Sequence, residues 1–412
     1  MSTTVVIRPG KLTGAVTPPP SKSQAHRLII AAALAQGESR LENVDLSQDI
    51  RATLGCMEAL GARWSLKDRT LAVQGFGGAA QLAGRLPRFD CGESGSTLRF
   101  LIPIALAAAG GGVFTGHGRL MQRPQKPYFD LFHRKGIFWE QRDGGLTVRG
   151  RLTPGEYALP GDVSSQFITG LLYALPLVEG ESAVTLTTPL ESRDYVSMTL
   201  RALDQFGVSV QETASGYRLS GPQAYVGTDG AVETDWSQAA FWYGANLLGG
   251  QVEILNLNRS SAQGDMRVVP YSRQLARPGD VALDVSQCPD LVPPLAAMAA
   301  VRTGECRLVN AARLRLKESD RLATVTQTLR TLGAAVEEGA DSLTFHGLPA
   351  LEGGTAVDCC NDHRIAMMAA VAACACRRPV TLLGAECVNK SYPGFWEDYR
   401  QLGGDLDVLI SG

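Results

Sequence analysis

The chain has 412 residues, of which 45% are hydrophobic and 19% charged, and 39 basic against 41 acidic residues leave a net charge of −2. That length predicts two or more domains, each large enough for a packed core. The balanced charge excludes the basic footprint of a nucleic-acid binder, and apolar runs of about a dozen residues are too short to span a bilayer.

The first marked element is Pro18-Pro19-Pro20-Ser21-Lys22-Ser23-Gln24-Ala25-His26-Arg27, which runs into the apolar segment Leu28 to Ala35. A stiff loop, two hydroxyls and two cations therefore stand where a buried helix begins. Free backbone N–H groups and the helix dipole favour an anion there.

The pattern recurs along the chain. Ser23–Gly37, Ser96–Gly110, Ser165–Gly180, Ser237–Gly249, Asp290–Gly304 and Asp362–Arg377 each begin with small polar residues and continue as an Ala- and Leu-rich helix. Their starts lie 73, 69, 72, 53 and 72 residues apart, and a strand-like run follows each. A second periodicity is independent of the first: Gly61 and Gly75, Gly136 and Gly150, Gly207 and Gly221, and Gly333 and Gly347 are all 14 apart. The first glycine of each pair suits a helix C-cap, and the interval suits a hairpin with a tight turn such as Arg142-Asp143-Gly144-Gly145. The unit is thus buried helix, strand, surface helix, strand, strand. The short fourth interval predicts that this unit has lost most of its surface helix and hairpin near Tyr271–Asp284. Two domains of three units each follow, with Ala224–Ala231 as the linker. Helices apolar nearly all round belong inside each domain.

Cations and hydroxyls gather near the helix starts: Lys22, Ser23 and Arg27; Gly92-Glu93-Ser94-Gly95-Ser96-Thr97-Leu98-Arg99; Ser164-Ser165-Gln166; Asn361-Asp362-His363-Arg364. Between them stand Arg119, Arg123-Pro124, Glu191-Ser192-Arg193-Asp194-Tyr195, Lys317-Glu318-Ser319-Asp320-Arg321 and Asn389-Lys390. Arginine forks match carboxylates and phosphates, and lysine supplies a point charge. The set predicts one or two small polyanionic substrates, with Asp290 and Glu318 as proton-transfer groups. Plainer readings stay open. Ser23, Ser96 and Ser165 can be simple N-caps, Asp290 can cap the helix after it, and Lys317–Arg321 can be a solvated helical face. The glycine-rich loop at Gly92 lacks the lysine of a nucleoside-triphosphate loop. His363 has no partner at metal spacing, and the nine cysteines form no C-x-x-C pair, so no metal site is expected. The cysteine usage predicts a reducing, cytoplasmic setting, and Met1-Ser2-Thr3-Thr4-Val5 does not open a secretory signal.

Taken in order, Ser21-Lys22-Ser23…Arg27, Gly95-Ser96-Thr97…Arg99, Arg123-Pro124, Ser164-Ser165-Gln166, Lys317-Glu318-Ser319-Asp320-Arg321, Asn361-Asp362-His363-Arg364 and Lys390 resemble the 5-enolpyruvylshikimate-3-phosphate synthase family from end to end. The resemblance implies an α/β fold of two similar domains, each of three βαβαββ units around buried helices, with the active site in the interdomain cleft. It implies that a strand near Thr4–Ile7 joins the C-terminal domain, so that residues 1–14 and 228–412 form one domain and 15–227 the other. It implies transfer of the enolpyruvyl group of phosphoenolpyruvate to the 5-hydroxyl of shikimate 3-phosphate by addition and elimination, without a cofactor, in a monomer. Ser23, Arg27, Ser164, Ser165, Ser192, Tyr195, Asp290 and Lys317 would then bind shikimate 3-phosphate. Gly95, Arg123, Arg321, Arg364 and Lys390 would bind phosphoenolpyruvate, with Lys22 and Gln166 near both. Asp290 would be the base on the 5-hydroxyl, and Glu318, helped by Lys22 or Lys390, would handle the proton at C3.

The chain departs from the family pattern in places. Glu93-Ser94-Gly95-Ser96 stands where many relatives have Asn-Ala-Gly-Thr, Phe100 replaces a frequent Pro, Thr234 a usual Gly, and Arg313 an Asn used by some on the shikimate side. Two rivals remain at this stage. One is the sister enzyme acting on UDP-N-acetylglucosamine, although its reactive Cys is missing from Gly118–Pro124. The other is a non-catalytic anion-binding protein on the same scaffold.

Overall fold

The computed structural model describes residues 2–80, 85–142 and 144–411. Its contacts divide the chain into a central unit, Pro20–Glu233, and a terminal unit, Met1–Pro19 with Thr234–Gly412. Each has its own hydrophobic core. No helix among the described residues is long and apolar enough to cross a membrane.

The central unit carries helices α1 (Lys22–Leu34), α2 (Gln48–Glu58), α3 (Gly95–Ala109), α4 (Lys126–Lys135), α5 (Ser165–Ala174) and α6 (Arg193–Gln205). The terminal unit carries α7 (Trp236–Leu247), α8 (Val268–Leu275), α9 (Val292–Ala300), α10 (Arg321–Thr331), α11 (His363–Ala373) and α12 (Phe395–Gln401). The odd-numbered helices are the apolar ones and form the cores; every residue of α9 and α11 is buried. The even-numbered helices α2, α4, α6, α8 and α10 bury one side only. An apolar stripe as wide as the whole helix leaves no face for water, and that difference sorts the two sets.

The caps lie slightly ahead of the serines singled out by sequence. Ser21, Ser94 and Ser164 accept hydrogen bonds from the first turns of α1, α3 and α5. Ser23, Ser96 and Ser165 stand inside those turns instead. Asp235 and Asp362 cap α7 and α11.

The central unit repeats one four-stranded sheet three times. In each, a parallel edge strand flanks the strand that follows a buried helix, and an antiparallel hairpin completes the order. The first sheet runs Gly230–Ala231, Glu38–Glu42, Thr70–Gln74, Arg63–Lys67. The second runs Arg88–Asp90, Gly111–Thr115, Gly145–Arg149, Phe138–Arg142. The third runs Gly155–Leu159, Gly180–Leu186, Gly216–Gly221, Gln211–Thr213. Asp143 of the expected hairpin turn lies outside the described residues. The glycine that ends a hairpin is there for close approach: a Cβ on Gly75 or Gly347 would collide with the backbone oxygen of Ala35 or Arg302, just past the buried helix.

The terminal unit contains one complete sheet of this kind, Val281–Asp284, Glu305–Val309, Leu343–His346, Ala335–Glu338. A second, Ala356–Asp358, Val380–Leu383, Ser2–Ile7, Leu406–Ser411, takes its last two strands from the two ends of the chain. A third is reduced to Thr13–Val16 paired in parallel with Gln251–Ile254.

Three details correct the sequence reading. The first division falls after Pro19 rather than at 14, because Thr13–Val16 pairs with Gln251–Ile254. The second falls after Glu233 rather than at 227. Ala224–Ala231 is not a linker, since Val226 bridges Gln36 and Gly230–Ala231 pairs with Leu41 and Glu42. The fourth repeat keeps a surface helix, the eight-residue α8, and an edge strand at Val281–Asp284; only the hairpin is missing among its described residues.

The N-terminal strand contributes Val5 and Ile7, both fully buried, to the terminal core. Ile7→Ala should therefore cost about 2–5 kcal/mol. Chemical unfolding should show a lowered midpoint, and an unchanged midpoint would show that this strand does not hold the sheet.

Candidate active site

In the central unit the polar groups of the helix starts are tied together by hydrogen bonds. Lys22 Nζ lies 2.7 Å from Asp49 Oδ2 on α2. His26 Nδ1 and Thr53 Oγ1 share a 2.7 Å bond, Thr53 and Thr97 another of 2.7 Å, and Thr97 donates to Ser94 at 2.7 Å. Gln166 on α5 accepts from Arg99 Nη1 at 2.9 Å and donates to Ser96 at 2.9 Å. Thr169 and Thr199 link α5 to α6 at 2.9 Å, and Arg27 Nε closes the circuit by donating to Thr199 at 2.9 Å. The first two turns of α1, α2, α3, α5 and α6 are thereby fixed relative to one another. Burial, with Lys22 and Arg27 close by, holds His26 well below the usual histidine range, so it serves this network as a neutral ring.

Arg27 is 2% exposed. It donates to the carbonyls of Ser23 at 2.6 Å and Tyr195 at 2.9 Å as well as to Thr199. Its partners are two carbonyls, a hydroxyl and two aromatic rings. A buried cation is stable only when compensated, and here the compensation comes from neutral dipoles. Gly95 opens α3, and a Cβ there would stand 2.5 Å from Arg123 Nη1. The absence of a side chain lets that guanidinium lie against the helix start. Ser192 precedes α6 with φ of +54° and is buried. For a residue other than glycine this is a strained conformation of the kind found at working sites. Of the residues expected in this unit, the bonds connect Lys22, Arg27, Gln166 and Tyr195 to the helix-start framework, and Gly95 and Arg123 touch at its α3 end. The Ser164 hydroxyl is engaged as the α5 cap.

In the terminal unit Asp290 is the hub. It lies in a 3-10 turn before α9 and caps no helix there. Its Oδ1 is 3.0 Å from Arg321 Nη1 and 3.3 Å from Lys317 Nζ, and its Oδ2 is 3.1 Å from Arg364 Nη2. Arg321, 1% exposed, also reaches Asp362 at 2.8 Å and Glu318 at 2.6 Å. Asp362 serves several neighbours at once: it caps α11, binds Arg321 through both oxygens and accepts from Ser319. Ser237, held by Asp235 at 2.6 Å, accepts from Arg364 at 2.9 Å. Lys390 is buried and donates to the Asn361 carbonyl at 2.6 Å. Lys317–Arg321 is therefore no solvated face: Ser319 and Arg321 are buried, and Lys317, Glu318 and Arg321 all belong to the Asp290 cluster.

Burial disfavours the charge on Asp290, but Arg364, Lys317 and Arg321 outweigh it and hold the carboxyl well below the usual carboxylate range. Burial draws Lys317 down against the pull of Asp290. For Arg321 burial also opposes the charge, yet Asp362, Glu318 and Asp290 raise it above the usual arginine value. Among the described residues no group of His, Cys, Asp or Glu is arranged to hold a metal ion.

Sequence reasoning did not single out Asp49 or Ser237 for the site. Asp49 lies on a surface helix with no local motif, and only the fold brings it to Lys22. Ser237 was noted as a helix start, but nothing local signals its bond to Arg364.

Two units, a shared sheet order and cationic buried-helix starts define a fold class that comparison with solved structures identifies. The chain is similar to an EPSP synthase from Acinetobacter baumannii, with a TM-score of 0.81 at 25% identity over 99% of this chain and 100% of that one. In fold it is also similar to the enolpyruvyl transferase NikO from Streptomyces tendae, with a TM-score of 0.77 at 17% identity over 100% of both chains. The particular family follows from sequence. The family model for EPSP synthase (3-phosphoshikimate 1-carboxyvinyltransferase) matches residues 6–399. The 3-phosphoshikimate 1-carboxyvinyltransferase of Clostridium kluyveri is 44% identical over 99% of each chain, and that of Clostridium acetobutylicum 44% identical over 98% of each. The chain belongs to the EPSP synthase family.

The depressed Asp290 sets a pH dependence with a definite sign. Its ion pairs lend stability that is fully present above the unfolded carboxyl value of about 3.9 and is lost as pH falls through the lower folded value. Unfolding midpoints from about pH 6 down to about pH 3 should fall more steeply for the wild type than for Asp290→Asn. Parallel profiles would show that Asp290 is not held in this way.

Proposed function

We infer that this chain transfers the enolpyruvyl group of phosphoenolpyruvate to the 5-hydroxyl of shikimate 3-phosphate, releasing phosphate, as a transferase of aromatic amino acid biosynthesis. Family membership supports the reaction. The observation that carries the residue roles is the Asp290 cluster, one carboxylate held by Lys317, Arg321 and Arg364.

Asp290 removes the proton from the 5-hydroxyl as its oxygen adds to C2 of phosphoenolpyruvate, while C3 gains a proton. Loss of phosphate and of a C3 proton from the tetrahedral adduct gives the enolpyruvyl ether. A carboxylate held this low is a weak base. The cluster supplies its own remedy: substrate phosphate and carboxylate groups compete for Lys317, Arg321 and Arg364, and each cation drawn away raises the basicity of Asp290. Glu318, 2.6 Å from Arg321, handles the C3 proton with Lys22 or Lys390. Lys317 also binds shikimate 3-phosphate, and Arg321, Arg364 and Lys390 bind phosphoenolpyruvate. In the central unit Ser23, Arg27, Ser164, Ser165, Ser192 and Tyr195 bind shikimate 3-phosphate, Gly95 and Arg123 phosphoenolpyruvate, and Lys22 and Gln166 both. The chemistry uses no cofactor. We place the chain in the cytoplasm, where its nine thiols, all free here, stay reduced, and take it to act as a monomer.

Purified protein should release phosphate from phosphoenolpyruvate only when shikimate 3-phosphate is present; equal release with UDP-N-acetylglucosamine would refute the reading. Asp290→Asn and Glu318→Gln should each lower kcat by roughly 10²–10⁴-fold, far more than they weaken substrate binding. Near wild-type kcat in both would overturn the proton-transfer assignment. Gly95→Ala, whose Cβ must displace Arg123, should raise the KM for phosphoenolpyruvate more than that for shikimate 3-phosphate in steady-state kinetics.

A further inference from the structure

Phe100 is one of the departures from the family pattern, and the reaction described above gives it no task. It stands in α3 with no exposed surface. Its ring centroid is 5.3 Å from the Arg27 guanidinium carbon, and the Tyr195 ring is 6.0 Å from the same carbon. Phe100 also packs against Tyr173, ring to ring at 6.5 Å, and the Tyr173 hydroxyl donates to the Arg27 carbonyl at 3.0 Å. Both ends of Arg27 are thus fixed, the backbone by Tyr173 and the guanidinium by ring faces and hydrogen bonds.

A guanidinium within about 6 Å of a ring centroid is attracted by the ring quadrupole, most strongly where water is excluded. Arg27 is buried, and its hydrogen-bond acceptors are neutral. The ring face therefore carries a larger share of its stabilisation than it would beside a carboxylate. Proline, the residue frequent at this position, has no such face. We propose that Phe100 is a positioning residue: its ring holds the Arg27 guanidinium in register with the α6 start, so that affinity for the phosphorylated acceptor depends on an aromatic side chain that does not itself touch substrate. The second clause rests on the functional reading above; the first does not.

Two measurements separate these. In protein labelled with ¹⁵N-arginine, Arg27→Lys identifies the Arg27 Nε–H resonance by its loss. Because this hydrogen is donated to Thr199 inside the core, it should exchange slowly with solvent in the wild type. It should exchange roughly tenfold faster in Phe100→Leu and in Phe100→Met, both of which stay apolar but lack a ring. Unchanged exchange in both folded variants overturns the proposal whatever the enzyme's activity. Kinetics supply the second readout. The KM for shikimate 3-phosphate should rise roughly tenfold in both variants, while kcat and the KM for phosphoenolpyruvate change less than about twofold. In an Arg27→Lys background the Phe100 substitutions should add little further. Equal rises in both KM values, or full additivity with Arg27→Lys, would show that Phe100 only fills space. If the wild type releases no phosphate with shikimate 3-phosphate, the functional reading fails, and the Arg27 exchange rate still decides whether Phe100 holds the guanidinium.

Discussion

A charge buried inside a protein must be surrounded by groups that replace water, and in this chain that requirement falls on arginines near the starts of helices. Arg321 meets it with three carboxylates, Asp362, Glu318 and Asp290. Those three come from the start of α11, the loop before α10 and the turn before α9, so compensating one guanidinium fixes three segments together. Removing one partner would upset a balance of buried charges, which is costlier than losing a surface pair. The rest of the terminal cluster depends on this constraint. Asp362 orients the α11 start that carries Arg364, and Asp290 holds Arg364 in turn.

The two units meet the same demand with different chemistry. The terminal cluster neutralises cations with carboxylates, which makes it rigid and nearly balanced in charge. The central unit uses a hydroxyl, carbonyls and ring faces around Arg27, while the carboxylate of Asp49 meets Lys22. An arriving anion therefore has different work to do in each place. Against the first it must displace or share existing ion pairs; toward the second it supplies a counter-charge to a cation compensated only by dipoles.

Much of this was legible in the sequence. The six apolar helices stand out because they are apolar on every side and start after small polar residues. The hairpins stand out because a helix-ending glycine and a close-approach glycine recur at one interval. The residues of the Asp290 cluster could be nominated from composition and from family resemblance, since arginines, lysines and acids crowd a few short segments. What could not be read depends on long-range contact. Nothing near Gln48–Glu58 marks Asp49 as the partner of Lys22. Gly230–Ala231 looks like a linker because glycine is flexible, yet its backbone completes a sheet begun at Glu38. The expected caps at Ser23, Ser96 and Ser165 were displaced by one or two residues, since a run of serines and glycines offers several capping hydroxyls and only backbone geometry chooses among them.

The sheet that joins Ser2–Ile7 to Leu406–Ser411 has a consequence for how the protein is made. Ser2 lies opposite Ser411, so a strand made before the whole central unit pairs with one made after it. Until Val380–Leu383 and Leu406–Ser411 are made, Ser2–Ile7 must stay unpaired, with Val5 and Ile7 exposed, while the central unit is produced and can fold. Contacts of such long sequence separation are slow to form and leave apolar strands open to wrong partners in the meantime. The same pairing places Ser2 beside Ser411. A short connection between Ser2 and Ser411 would turn this long-range pairing into a local hairpin, which would remove the loop-closure cost that now separates the two strands.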